Sequence, residues 1–248
     1  MGDTIQFIRY AKKIKGLGAQ VVVNVSEKLK TLFESVEGVT VVTTTLPSPR
    51  HFFRYSPLMS LPYVFKTATR SIPSHDRYMT APSKLIETWK KRIIKEPGLR
   101  VGLMWRGNPK FVSDRARSTS LQMMSQLLSV PEVSFFSLMV EIPKSDGKLP
   151  KKIVNIGKDF NDFADTAAAM ESLDLIITVD TAVCHLAGAV GRPVWTMLPR
   201  SCDFRWNYKG HTSKWYPTMK LYRQKTLGNW QDVINKIELD LRELATHG

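Results

Sequence analysis

The most informative chemical feature is a polar pair directly after an apolar run in the second half of the chain. Leu173 to Val179 is typical of a buried strand, and Asp180 and Thr181 follow it at once. Thr181 then opens a predicted helix to Val190. Ligands of open α/β sheets bind at the carboxyl ends of strands, where a helix N-terminus presents free N–H groups and a positive dipole end. The pattern favours a diphosphate site, with His185 one helical turn further on the same face.

The same residues also fit a purely structural interpretation. Asp180 and Thr181 are both common at helix starts, where a short polar side chain accepts a backbone N–H bond. His185 could then be a half-buried histidine with satisfied hydrogen bonds. Small side chains in this helix allow close packing on the sheet, whichever interpretation holds: Ala182, Ala187, Gly188 and Ala189.

A cationic loop supplies a second group of candidates. The segment from Arg106 to Ser118 follows a predicted strand and carries four cations: Arg106, Lys110, Arg115 and Arg117. Guanidinium forks match diphosphate oxygens, whereas lysine provides a point charge. Arg115 and Arg117 are the preferred candidates and Lys110 comes after them, while the alternative is a solvated charged loop. Arg205, after another predicted strand, is a weaker phosphate candidate.

Two further helix starts carry carboxylates. Asp165 and Thr166 resemble a second helix start, with Asp165 as the predicted cap of a helix to Ser172. This pair either faces the nucleoside or serves only as a cap. Asp3 is predicted to cap a helix that runs to about Lys15.

Composition limits the class of protein. The chain has 248 residues, 43% of them hydrophobic and 23% charged, which is ordinary for a soluble globular protein. No apolar run reaches the ~20 residues of a membrane-spanning helix, and no signal peptide is recognisable, so a cytoplasmic location is the expectation, with peripheral contact at the inner membrane face as an option. Cys184 and Cys202 are expected to be free thiols without a metal-binding spacing.

The formal net charge of +14 favours anionic partners. Nucleotide diphosphates, phosphorylated glycolipids, anionic membrane surfaces and nucleic acid all qualify. The basic residues are spread along the chain without a zinc-finger or RNA-recognition motif, so nucleic acid is the least favoured partner.

Alternation of strands and helices predicts an α/β fold with parallel sheets. The first half has predicted strands at Gln20–Val25 and Val39–Thr43 with a second helix from Ser26 to about Glu34 between them, then a loop-rich stretch from Leu46 to Pro82. A helix from Ser83 to Lys95 ends at Pro97-Gly98, where we place a domain boundary between residues 1–97 and 98–248. Further elements are predicted beyond it: strands at Arg100–Trp105, Ser134–Leu138, Lys152–Ile156, Leu175–Val179, Val194–Leu198 and Leu221–Arg223, and helices at Leu121–Leu128 and Trp230–Leu244.

The motif Asp180-Thr181-x-x-x-His185-x-Ala187-Gly188-Ala189-x-Gly191-x-Pro193 resembles the nucleotide-sugar signature of glycosyltransferase family 9, the heptosyltransferases. It is most similar to the related domain that follows tetratricopeptide repeats in bacterial proteins. Other blocks occur in the same order as in that domain: Gly2 to Tyr10, Leu58 to Pro62, Val101 to Pro109, Asp114 to Ser118, Asp162 to Ala167, and Trp215 to Gln224.

This resemblance implies a GT-B-like fold, in which two Rossmann-like doubly wound domains enclose a cleft. It implies transfer of a sugar from a nucleotide-diphosphate donor to an acceptor hydroxyl on a glycolipid, polysaccharide or protein, without a tightly bound metal or cofactor. Asp3 matches the proposed base of the family's Gly-Asp motif. Asp180, Thr181, Ala182 and His185 match the donor-binding signature.

One departure from the family pattern affects the expected activity. Relatives carry an apolar strand before Gly2-Asp3, and Met1 stands in its place here. We therefore expect an incomplete first domain, with donor binding retained and acceptor chemistry impaired, or a gap filled by homo-oligomerisation. The hypotheses are an active glycosyltransferase, a non-catalytic binding or assembly module of the same fold, and, least favoured, a basic nucleic-acid-binding protein.

Overall fold

The computed structural model describes residues 1–48, 50, 52–74 and 77–247. In the described part of the first half, two short parallel strands form a small sheet: β1 (Val22–Asn24) pairs with β2 (Val41–Thr43). Helices α1 (Gly2–Phe7), α2 (Ala11–Gly16) and α3 (Lys30–Phe33) surround them, and α4 (Leu61–Val64) lies in the loop-rich stretch. Both predicted strands are confirmed, though each is shorter than predicted.

The predicted helix from Asp3 to Lys15 is not continuous. A 3-10 turn at Ile8–Tyr10 separates α1 from α2. Helix α1 begins at Gly2, with Met1 as the cap residue and no side-chain cap bond, so the expectation that Asp3 caps a helix was wrong. The predicted second helix likewise splits into a 3-10 turn at Glu27–Leu29 and the short α3.

The second half contains a six-stranded parallel sheet in the order β5-β4-β3-β6-β7-β8. Its strands agree closely with the predicted ones: β3 (Leu99–Met104), β4 (Val133–Ser137), β5 (Ile153–Asn155), β6 (Leu175–Val179), β7 (Val194–Leu198) and β8 (Met219–Arg223). Its helices are α5 (Ser83–Ile93) at the junction, α6 (Asp114–Arg117), α7 (Leu121–Met124), α8 (Phe163–Met170), α9 (Ala182–Ala189) and α10 (Gln231–His247).

Two apolar layers cover this sheet because alternate side chains of a strand point to opposite faces. Leu175, Ile177 and Val179 pack with α7 and α10, while Ile176 faces α8 and α9. The α8–α9 layer is continuous with the core of the first half, since buried residues of α1, β1 and α3 belong to the same apolar cluster. One apolar core connects the two halves of the chain. The division into two domains at residue 97 therefore stays a prediction.

Helices in the described ranges are all too short or too polar to cross a lipid bilayer.

Candidate functional site at the switch point of the large sheet

The order of the strands defines where a ligand fits. From β3 the chain proceeds to β4 and β5 on one side, and from β6 to β7 and β8 on the other. The topological switch point therefore lies between the carboxyl ends of β3 and β6, which are paired through Met104 and Thr178. Ligands of open α/β sheets bind in the crevice at such a point. The two segments that leave it are the cationic loop after β3 and the Asp180-Thr181 pair after β6.

The start of α9 has the predicted geometry. Thr181 is the N-cap, and its Oγ1 accepts a 3.2 Å hydrogen bond from the N–H of Val183. Ala182 follows as a half-buried first helical residue. The capping interpretation of Thr181 is thus confirmed, and it leaves the positive end of the helix directed at the switch point.

Asp180 lies in an electrostatically mixed environment. Burial raises the pKa of its carboxyl, whereas Trp206, Arg117 and Arg205 lower it and Asp203 raises it. Arg117 and Arg205, from different loops, thus both lower the pKa of the residue that follows β6. Because the cationic loop leaves β3 and the α9 start leaves β6 at paired strand ends, the two segments form one candidate site, and the effect of Arg117 on Asp180 agrees with this.

The structure distinguishes the cations of that loop. Arg117 is held by the buried Asp114, whose Oδ1 accepts from Nε at 3.0 Å, and its guanidinium covers the ring of Phe111. The other oxygen of Asp114 accepts from Ser118 Oγ at 2.9 Å, and Ser118 Oγ accepts from the N–H of Gly107 at 3.0 Å. Arg117 is therefore held in a fixed orientation within the loop, and its charge lowers the pKa of Asp180. Arg115 and Lys110, predicted with it, are exposed side chains of the same loop.

Helix α1 places Asp3 against the second half. A Cβ on Gly2 would lie 2.9 Å from Cδ2 of His185, so glycine permits the close approach of α1 to α9. The carboxylate of Asp3 is 51% exposed and accepts from Nη2 of Arg205 at 2.5 Å. Arg205, by contrast, is buried and also donates to Gln6 (2.5 Å) and Asp203 (2.8 Å). Arg205, the weaker phosphate candidate of the sequence, thus links Asp3 of α1 to the second half of the chain.

His185 does not open into the cleft as predicted. Its ring is buried, stacks on Trp206 at 5.3 Å, and has its Nδ1 2.9 Å from the hydroxyl of Tyr216. Burial, with added repulsion from Arg205 and Arg9, lowers the pKa of His185 well below its usual value. It is a neutral imidazole that joins α9 to the residues before β8.

Asp165 and Thr166 lie away from the switch point. The cap of α8 is Asp162, which accepts from the N–H groups of Ala164 (2.8 Å) and Asp165 (3.1 Å), so the expectation that Asp165 caps this helix was wrong. Asp165 instead accepts from the indole N–H of Trp89 at 2.9 Å and binds Asn161. It lies after β5, at the edge of the sheet, and its bond to Trp89 connects α8 to α5. Thr166 is buried in the same helix turn.

A cavity of about 220 Å³ opens beside Arg205, between the two halves of the chain. Residues 62–72 form one wall and residues 204–215 the other. The lining side chains are Pro62, Thr67, Ala68, Thr69, Ile72, Phe204, Arg205, Asn207, Lys214 and Trp215. Arg205 therefore faces both this cavity and Asp3.

One group of side chains has the composition of a metal site. Ligand atoms of Asp180, Cys184 and His185 lie within 4.8 Å of one another. Burial raises the pKa of the Cys184 thiol well above its usual value, and its sulfur donates to the carbonyl of Thr181 at 2.9 Å. Nearby arginines act on the three residues, so the local field favours an anion over a dication.

Sequence reasoning missed the role of Arg9. This buried side chain donates to the carbonyl of Trp215 (2.7 Å) and the hydroxyl of Tyr78 (3.0 Å), and it lies 4.7 Å from the ring centroid of Tyr216. It fastens α1 and α2 to the second half beneath the site. An arginine among the apolar, helically spaced Ile5 and Ile8 is the signal that could have revealed it.

Comparisons with known proteins agree with this architecture. No family model matches the sequence. Protein FlbA of Caulobacter vibrioides is 26% identical over 99% of the chain, which spans 45% of the length of that relative.

Three solved structures share the fold across nearly the whole chain. A glycosyltransferase of family 9 from Veillonella parvula has a TM-score of 0.65 at 10% identity, covering 100% of this chain and 94% of that one. ADP-heptose lipopolysaccharide heptosyltransferase II of E. coli has a TM-score of 0.55 at 9% identity, covering 98% and 95%. The dodecameric, iron-containing heptosyltransferase TibC, solved with ADP-D-β-D-heptose, has 0.57 at 13% identity, covering 94% and 63%.

The likeness to the domain that follows tetratricopeptide repeats stays a prediction. The predicted fold is confirmed, since this chain has the GT-B-type α/β fold of family 9 glycosyltransferases and heptosyltransferases.

Proposed function

We propose that this chain transfers a sugar from a nucleotide-diphosphate donor to an acceptor hydroxyl. The observation that carries the proposal is the switch point of the large sheet, where the loop that holds Arg117 leaves β3 and Asp180 and the start of α9 leave β6. The fixed guanidinium and the helix N-terminus are both suited to the oxygens of a diphosphate. ADP-sugars are the first donors to test, because TibC was solved with one.

Bond making and proton movement can be assigned to residues of this chain. The acceptor oxygen forms a bond to the anomeric carbon as the bond from that carbon to the diphosphate oxygen breaks. Arg117 and the α9 N-terminus stabilise the charge that develops on the leaving diphosphate. Asp3 accepts the proton of the acceptor hydroxyl through its Oδ2, since Arg205 occupies Oδ1.

A donor-turnover assay tests the proposal. A panel of ADP-, UDP- and GDP-sugars is screened for thermal stabilisation, and nucleotide release is then measured with candidate acceptors and without any. We expect Asp3→Asn to lower turnover by roughly 100-fold or more, as for loss of a general base, while thermal stabilisation by the donor persists. Stabilisation by none of the sugars would contradict the proposal.

A non-catalytic binding module of the same fold is the second candidate. The ion pair between Asp3 and Arg205 favours it, because that contact fastens α1 to the donor side whether or not a proton is transferred. Donor binding without release of nucleotide, unchanged between wild type and Asp3→Asn, would establish this alternative.

A further inference from the structure

The two walls of the inter-half cavity belong to two stretches of sequence without a single acidic residue. One stretch runs from Gly38 to His75 and the other from Phe204 to Gln231, and these are the two longest acid-free stretches of the sequence. Residues 62–72 and 204–215, which line the cavity, fall entirely within them. Apart from Asp3 and Asp203, which are paired with Arg205, the charged side chains of the two walls are therefore basic.

The basic side chains of these walls are exposed. Lys66 and Arg70 belong to the first wall, and Lys209 and Lys214 to the second. Lys214 also lines the cavity itself. Exposed lysines and arginines without interspersed carboxylates attract anionic surfaces such as the headgroups of an anionic membrane.

Large apolar side chains project from the same walls. Tyr63 is 88% exposed, Val64 58%, Phe204 64% and Tyr208 87%. Tyr63 and Val64 lie in the chain between the lining residues Pro62 and Thr67, and Tyr208 follows the lining residue Asn207. Among the described residues, five of the six exposed aromatic side chains lie in the two acid-free stretches: Phe53, Tyr55, Tyr63, Phe204 and Tyr208, with Phe111 the exception.

We infer that this acid-free rim, Tyr63 to Arg70 with Phe204 to Lys214, binds the surface of an anionic lipid bilayer and sets the cavity mouth against it. Projecting tyrosine and phenylalanine side chains beside lysines match the headgroup–acyl boundary, where aromatic rings bury their apolar part and cations meet lipid phosphates. A single-stranded nucleic acid would also meet the lysines and would stack bases on Tyr63 and Tyr208, but it would leave the aliphatic Val64 without a partner. The inference is independent of the proposed sugar transfer, because it rests on surface composition alone.

Vesicle co-sedimentation tests it with the full chain. Wild type is mixed with phosphatidylcholine vesicles that contain or lack phosphatidylglycerol, at low salt and again at high salt. We expect binding only to the anionic vesicles. Part of this binding should persist at high salt, because the apolar side chains contribute to it. The double variant Tyr63→Ser/Tyr208→Ser keeps every charge and should weaken binding by about tenfold.

A matched pair controls for general loss of surface apolarity. Val140 and Leu239 are 57% and 60% exposed outside the rim, and Val140→Ser/Leu239→Ser should bind vesicles like wild type. Equal affinity of the two double variants for anionic vesicles would overturn the inference, as would complete release of wild type from those vesicles at high salt. Loss of donor turnover with vesicle binding retained would refute the proposed function and leave this inference standing.

Discussion

At the scale of single residues, Arg117 owes its position to Asp114. The buried carboxylate holds both Arg117 and Ser118, and so couples the guanidinium to the backbone of the loop through Gly107. A guanidinium that is already oriented loses less conformational freedom when it binds an anion. Under the proposed function we therefore expect Asp114 to contribute to diphosphate binding without touching the ligand.

Asp114→Asn should weaken nucleotide-diphosphate binding by about three- to tenfold, because the neutral amide holds Arg117 less firmly. Isothermal titration with ADP, UDP or GDP measures the change. Asp159→Asn is the matched control, since Asp159 pairs with Arg92 on the surface. Equal affinities of the two variants would show that the orientation of Arg117 has no bearing on binding.

His185 gives the fold a specific dependence on pH. Its pKa is far below the ordinary 6.5 in the folded chain, so below pH ~6.5 the unfolded chain takes up a proton that the folded chain refuses. This residue therefore costs stability as pH falls, by at most about 1.4 kcal/mol per pH unit.

Urea unfolding at pH 7.5 and pH 5.5 should show a smaller loss of stability in His185→Gln than in wild type. Glutamine can still hydrogen-bond to Tyr216 but does not titrate in this range. An identical pH dependence in the two proteins would mean that the folded chain accommodates a charged His185.

The sequence alone could identify the participants of the site but could not rank them. Asp180, Thr181 and the cationic loop were predictable because they follow strand ends, and strand ends of a parallel sheet meet at one edge. Arg117 and Arg115 differ only through the burial of Asp114, which depends on tertiary packing. Asp165 was misassigned as a cap because Asp162, three residues earlier, offers the same chemistry.

At the scale of elements, α9 is held by a tight contact with the segment before β8. A Cβ on Gly188 would lie 2.3 Å from Cδ1 of Tyr216. The missing side chain of this glycine therefore lets the tyrosine ring pack directly against α9. Tyr216 in turn contacts His185 and Arg9. The start of α9 is thereby positioned from its far end.

Gly188→Ala should lower the free energy of unfolding by about 1–3 kcal/mol, the usual cost of overpacking a core. Gly16→Ala provides the control, because a Cβ there meets nothing within 4 Å. Thermal melts of both variants report the difference, and a Gly188→Ala protein as stable as the Gly16→Ala protein would show that Tyr216 can move aside.

The elements of the second half were predictable and those of the first half less so. Apolar β-branched runs bounded by Pro, Gly or Asp specify buried parallel strands, and all six were found within a few residues of their predicted bounds. The break in the first helix has no proline or glycine to announce it. At this break Arg9 donates from Nε to the carbonyl of Gln6. The position of Arg9 is set by its bonds to Trp215 and Tyr78, which are distant in the sequence, so local sequence does not predict the break.

At the scale of the whole molecule, one apolar cluster and two buried arginines, Arg9 and Arg205, connect the two halves. The cluster includes Ile5 and Val23 from the first half and Phe136 and Ala187 from the second. Arg9 adds a hydrogen bond to the carbonyl of Trp215 across the same boundary, and the buried Arg205 adds bonds to Gln6 and Asp3. We therefore expect a single cooperative unfolding transition, with the cleft preformed.

Arg9→Met should keep that single transition but lower the free energy of unfolding by about 2–4 kcal/mol, since buried carbonyls of Pro73 and Trp215 lose their donor. Differential scanning calorimetry measures both properties, with Arg242→Met as the surface control. Two separate transitions in wild type would show that the halves fold as independent domains.

The most direct test of the account is the affinity of the switch point for a diphosphate. Isothermal titration with inorganic pyrophosphate, ADP, UDP and GDP is carried out on wild type, Arg117→Ala and the surface control Arg242→Ala. The account predicts saturable binding of at least one nucleoside diphosphate, weakened about tenfold or more by Arg117→Ala and unchanged by Arg242→Ala. Failure of wild type to bind any of the four, or equal binding by the two variants, would contradict it.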